Sequence, residues 1–212
     1  MFTDVSTYRE LHPGFEQTSF MNGRDRVLLH KVAKNVPLKR HRHTHAQFGY
    51  NFWGEYEFVV DDVAFNVQQG SRYLLNGLTH HAAYATTDYY SMDYKFIASG
   101  DLSNRASFDP VGERFDVCGG KGVDIEMESF HFELTNDRAS RVVRILPIGT
   151  VPVRLQMDAG KINLAVTSRA CEFIANNRPM VLEAMRIYKF DPVDELNIQF
   201  GDSKSEILVL SI

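Results

Sequence analysis

Three histidines alternate in the stretch HRHTHAQFGYNFWG, residues 41 to 54, and a glutamine follows two positions after the last. Histidines at i and i+2 on a strand point to one side, so His41 and His43 can offer two imidazoles to one ion. Gln47, four residues after His43 across a short bend, can add an amide oxygen. A fourth donor has to come from elsewhere, and LTHHAAYA sets His80 and His81 on a later strand. A lone strand histidine is usually a surface or satisfied core residue, but here five of the eight histidines fall in two short segments. Such nitrogen and oxygen donors suit one divalent transition metal, Fe, Co, Ni, Mn or Zn. Three imidazoles and an amide carry no charge, so the ion would keep its full charge as a Lewis acid. Four protein ligands leave two adjacent octahedral positions, which fits a 2-oxo acid held by its keto and carboxylate oxygens. The neighbouring C–H then becomes acidic, and the expected chemistry is proton or double-bond migration without oxygen.

The elements that must carry these residues read in twos. In EFVVDDVAFNV two apolar runs flank Asp61 and Asp62, a hairpin with an acidic turn. YYSMDYKFIA alternates Tyr90, Met92, Tyr94 and Phe96 with Ser91, Asp93 and Lys95, the pattern of a half-buried strand. RVVRILPIG, VPVRLQM, KINLAVT and SEILVLSI continue the theme, and MVLEAMRIYKF suits either a helix or a strand. The fold class expected is all-β, a barrel or sandwich. Sliding the chain over itself by 115 residues pairs Arg26-Val27 with Arg141-Val142, Val36-Pro37 with Val151-Pro152, and Glu57-Phe58 with Glu172-Phe173. Three dipeptides in one register suggest a duplicated β unit. Residues 1–98 then form an N-terminal barrel, 99–124 a Gly- and Ser-rich connection, and 125–212 a C-terminal barrel.

The totals bound the rest. A chain of 212 residues with 44% apolar residues can furnish a real core. Its net charge of −4 comes with no dense basic stripe, which argues against nucleic acid as a partner. Two cysteines, no apolar run at the start and no membrane-length stretch make the reducing cytoplasm the expected location, with no membrane partner.

The first motif resembles that of the cupin superfamily, in which H-x-H is followed after three or four residues by Glu or Gln and after six more by Gly. His41, His43, Gln47 and Gly54 keep that spacing. The family's second motif has Gly70 in place and sets His81 at the expected distance, although Asn76 and Leu78 stand where the family has Pro and Gly. Gly77 allows a one-residue slip that would select His80 instead. The resemblance therefore implies a metal held by His41, His43, Gln47 and His81 in the first of two cupin jelly-roll barrels. In the second, the 115-residue shift lands on Gln156, Asp158, Ile162 and Leu196, two of which cannot bind metal, so that barrel has lost its site.

The ligand set and the duplicated barrel look like the dihydro-hydroxyphenylpyruvate isomerases of bacilysin-type and aeruginosin-type peptide biosynthesis. They imply an enzyme that shifts double bonds in a dihydro-4-hydroxyphenylpyruvate-type 2-oxo acid. Around the metal, strand parity brings Lys39 inward as a carboxylate anchor and Asn51 and Trp53 as ring contacts, and Tyr90 is a candidate for hydrogen bonding to the substrate. Tyr50, Tyr94 and His45 are candidates for moving the proton, as is His80; packing or solvation alone would also account for each. A cupin Fe(II) dioxygenase and a non-catalytic small-molecule-binding cupin are the competing functions. A monomer is expected if the second barrel covers the face that single cupins bury, and a homodimer if strand edges pair.

Overall fold

The computed structural model describes residues 2–98, 112–114, 125–133, 139–147, 153–156, 160–175, 178–190, 195–200 and 205–212. For 112–114, 125–133, 139, 147, 153–156, 173, 175 and 195–200 only the backbone is described. The strands run β1 (Phe2–Asp4), β2 (Thr7–His12), β3 (Phe15–Asn22), β4 (Asp25–Val32), β5 (Pro37–His41), β6 (Ala46–Trp53), β7 (Tyr56–Val60), β8 (Val63–Val67), β9 (Arg72–Leu75), β10 (His81–Ala85) and β11 (Tyr89–Phe96). They continue as β12 (Gly112–Arg114), β13 (Ile125–Glu133), β14 (Ala139–Pro147), β15 (Val153–Gln156), β16 (Asn163–Thr167), β17 (Cys171–Ala175), β18 (Arg178–Leu182), β19 (Tyr188–Phe190), β20 (Glu195–Phe200) and β21 (Ile207–Ser211). Among the described residues no helix is long and apolar enough to cross a membrane.

The chain divides into two compact units. In the N-terminal one, a six-stranded sheet of order β2-β3-β4-β11-β6-β9 faces a four-stranded sheet of order β5-β10-β7-β8. Side chains from both pack between them, among them Phe15, Val32, Phe58, Tyr73, Ala83 and Tyr89. The hairpin read at Asp61 and Asp62 is β7–β8, and both turn residues have positive φ, 44° and 70°, as a primed two-residue turn demands. The strand read as half-buried, β11, is buried on both faces: Tyr90, Met92, Tyr94 and Phe96 are at most 1% exposed, and Ser91 and Asp93 only 4% and 6%. Its polar face is therefore an interior one.

The C-terminal unit repeats the plan. Its sheets run β1-β19-β16-β21-β14-β13-β12 and β15-β20-β17-β18, the same order with each strand replaced by its counterpart and β1 added at one edge. The pair Tyr56↔Val67 recurs as Cys171↔Leu182, and Val60↔Val63 as Ala175↔Arg178, each residue displaced by the offset found in the sequence. MVLEAMRIYKF resolves as strand β18, a turn at Met185 with φ 58° and strand β19, with no helix between. Two features depart from chain order. β12 lies within the segment read as a connection, whose residues 99–111 and 115–124 are outside the described residues. Residues 1–5 group with the C-terminal unit because β1 pairs with β19, Phe2 opposite Phe190.

Candidate metal centre

His41 closes β5 and His81 opens β10, and the two are direct partners across the ladder. The next pair is Ala83 with Leu38, so Lys39 and Arg40 together oppose the single residue Ala82. That extra residue is a β-bulge, and it reverses the parity of everything before it. Leu38 shares the cavity wall with His41, while the Lys39 side chain is exposed. The inward Lys39 expected from regular alternation is corrected accordingly. His43 lies beyond the strand, in the connection to β6, where Leu78 N–H donates to its carbonyl at 2.7 Å. That contact needs the β9–β10 loop to run close by, and a Cβ on Gly77 would collide with the Thr44 carbonyl oxygen.

These local paths bring one ring nitrogen from each of His41, His43 and His81 within 4.8 Å of one another. The ring centroids of His41 and His43 lie 4.3 Å and 5.0 Å from that of His81. In each histidine Nδ1 donates to a backbone carbonyl: Lys39 at 2.9 Å, His45 at 2.8 Å and Thr79 at 3.0 Å. A proton held on Nδ1 leaves Nε2 as a lone pair, the usual way in which a protein fixes the tautomer of a metal ligand. Burial pulls the His81 imidazole down to about 4, and it lowers His43 as well, with the Lys95 ammonium adding to the effect there. Both are therefore neutral near pH 7. His80, in contrast, is not in the cluster; its backbone N–H donates to Asp61 Oδ1 at 3.2 Å.

Gln47 Oε1 lies 2.9 Å from His43 Nε2. With the His43 proton on Nδ1, these are two acceptors facing each other, an arrangement that a cation between them satisfies. The amide is held in this sense because Gln47 Nε2 donates to the Tyr73 hydroxyl at 3.1 Å, and Tyr73 donates to Asp93 Oδ1 at 3.0 Å. A second arm reaches the same carboxylate. Arg9 Nε donates to Gln17 Oε1 at 2.9 Å, Gln17 Nε2 donates to His30 Nε2 at 2.9 Å, and His30 Nδ1 faces Asp93 Oδ2 at 3.5 Å. Burial lowers His30 to about 4 against the opposing pull of Asp93, so it is neutral with its proton on the Asp93 side. Every bond in both arms runs toward Asp93.

The cavity between the two sheets measures about 100 Å³, and Gln17, His30, His41, Gln47, His81 and Asp93 are among its lining residues. The remaining expected site residues lie elsewhere. Tyr50, Tyr90 and Tyr94 alternate with Gln47, Ser91, Asp93 and Lys95 on their strands, so the pleat turns them away from the cavity. Tyr94 donates to Asp25 Oδ1 at 3.4 Å, and Phe52 stacks on Tyr90. Asn51 keeps the parity of Gln47, but its Nδ2 donates to the Gly54 carbonyl at 2.7 Å and secures the turn after β6. Trp53 opposes Tyr90 whereas Asn51 opposes Ser91; this shift of register puts Trp53 on the Tyr90 side. His45 is half-buried beside the cluster and takes part through its carbonyl, as acceptor for His43. Sequence reading passed over Tyr73, Asp93, His30, Gln17 and Lys95. The available signal was the polar alternation of β11, which marks one face of a strand without saying whether that face meets water or a cavity.

No family model matches the sequence, and no curated protein matches it. Solved structures do. AerE from Microcystis aeruginosa superposes with a TM-score of 0.71 at 18% identity, covering 100% of this chain and 99% of that one. Oxalate decarboxylase from Bacillus subtilis gives TM-scores of 0.63 and 0.64 at 10% and 11% identity in two forms, over 100% of this chain and 76% of the other. Two units of one strand order, matched along their whole length by these structures, make the chain a bicupin in fold.

Proposed function

We propose that this chain is a metal-dependent isomerase that shifts double bonds, by allylic proton transfer, in a 2-oxo acid of the dihydro-4-hydroxyphenylpyruvate type. The observation that carries the reading is the convergence of His41, His43, His81 and Gln47, four uncharged donors whose lone pairs are aimed by bonds behind them. The likeness to AerE supports it, and the Mn(II) centres of the Bacillus oxalate decarboxylase support a divalent ion in a fold of this kind. When bound, such an ion supplies a Lewis acid for the keto and carboxylate oxygens of the substrate, its charge undiminished by the ligands. The chain's own residues do the rest. Phe15, Leu28, Leu38 and Phe58 give the cavity an apolar wall that excludes water and suits an alicyclic ring. Asp93 is the carboxylate in that cavity; with Tyr73 on Oδ1 and His30 near Oδ2 it is oriented to take up or return a proton.

The test is metal content in anaerobically purified protein, followed by the ultraviolet band of the conjugated product with a dihydroaromatic 2-oxo acid. About one metal per chain and an oxygen-independent absorbance change are expected. Oxygen uptake coupled to turnover would move the reading to a dioxygenase, and the absence of metal would leave a binding protein.

A further inference from the structure

Lys95 lies on β11 two residues beyond Asp93, on the face that lines the cavity with His41, His81 and Gln47. In the β6–β11 ladder it stands directly opposite Gln47, so the two side chains leave the sheet as cross-strand neighbours. Its ammonium has three donors and no hydrogen bond or ion pair among the described residues. Other cations are matched: Lys31 by Glu16 at 3.5 Å, Arg186 by Asp4 at 3.4 Å and Arg40 by Asp62 at 2.6 Å. The carboxylate nearest to Lys95 in sequence, Asp93, is already engaged by Tyr73 and His30. The charge is nonetheless felt inside, where it bears on His30 and His43. Burial disfavours the Lys95 ammonium, and Arg26 repels it; the pull of Asp93, already shared with Tyr73 and His30, offsets this only in part, and an anion entering the cavity would offset the rest.

We propose that Lys95 is the carboxylate anchor of this cavity and makes it selective for anionic 2-oxo acids over their neutral esters. The substrate class rests on the function proposed above, but the anchoring does not require the metal. Lys95 thereby takes the role that strand parity had assigned to Lys39, whose side chain is on the exposed side of the bulge.

The experiment is isothermal titration of the full-length protein with phenylpyruvate and with its methyl ester, for the wild type, Lys95→Met and Lys95→Gln. Each protein is titrated both as metal-loaded and as chelator-stripped material, with metal content measured in parallel. The wild type is expected to prefer the acid by about tenfold or more, the scale of one charge-assisted contact. With the metal stripped, both variants should bind acid and ester alike; with it loaded, they should hold the wild-type amount of metal and keep only the preference that the ion's own hold on the carboxylate gives; either variant alone suffices if the other does not fold. A variant that keeps the full wild-type preference in chelator-stripped material, or a stripped wild type with no preference, overturns the proposal. Protein that never holds metal but shows the Lys95-dependent preference sinks the metal reading and upholds the anchor.

Discussion

Tyr73 decides which end of the Gln47 amide faces the histidines, since its hydroxyl accepts from Gln47 Nε2 and donates onward to Asp93. Tyr73→Phe frees the amide to turn, and metal affinity should fall by about 10- to 100-fold, as for other residues behind metal ligands, in a competition titration against a chromophoric chelator. Gln47→Glu separates binding from chemistry: a carboxylate ligand should hold the ion at least as tightly yet slow turnover, because it cancels part of the charge that makes a Lewis acid. Unchanged turnover in that variant would count against the neutral-ligand argument. His30 carries a pH signature. Its folded value of about 4 lies below the ordinary 6.5, so between these values the unfolded chain takes up a proton that the folded protein refuses. Stability is therefore fully present above about 6.5 and lost as pH falls toward 4, at up to about 1.4 kcal/mol per pH unit. Urea denaturation of metal-free protein at pH 7 and pH 5 should show the loss, and His30→Gln should shrink it. At this scale the gathering of His41, His43 and Gln47 was legible because they span seven residues. Asp93, Tyr73 and His30 were not, because they come from three strands and meet only once the sheet is formed.

Strand β6 shows what packing asks of an element. Gly49 sits two residues after Gln47 on the same face, and a Cβ there would lie 2.0 Å from Tyr73 Cζ, over the ring. Gly49→Ala should thus cost about 1–3 kcal/mol by overpacking. The same displacement would loosen the Gln47 bond, so the variant should lose metal affinity along with stability, read by chelator titration and urea denaturation on one preparation. Retained affinity would separate the ring's packing from its role behind Gln47. Alternation found the strands well, including the hairpin at Asp61 and Asp62, and the repeat offset placed whole ladders of the second half. What alternation cannot reveal is a bulge. The extra residue in β5 and the register shift between β6 and β11 each reverse parity locally, which is why Lys39 and Trp53 leave the cavity side while their neighbours keep to it.

Across the whole molecule, duplication has been followed by divergence. Where the first unit has Gln47, the second has the half-buried Ile162, an apolar side chain with no atom to offer a metal. The stoichiometry expected is therefore about one ion per chain by elemental analysis. The double substitution His41→Ala, His43→Ala should remove all of it, and residual metal near one equivalent would mean that a second centre exists. The duplication was legible as an offset in the chain, but the place of β1 was not: three residues carry too little pattern to announce a partner at the far end. That pairing has a consequence for the order of manufacture. On a ribosome adding about 5–20 residues each second, β1 emerges and then waits roughly 10 to 40 s before β19 exists to receive it. Of the described strands β1 is made earliest yet is among the last to be placed, and cutting the gene between the two halves would leave an edge strand of one barrel attached to the other.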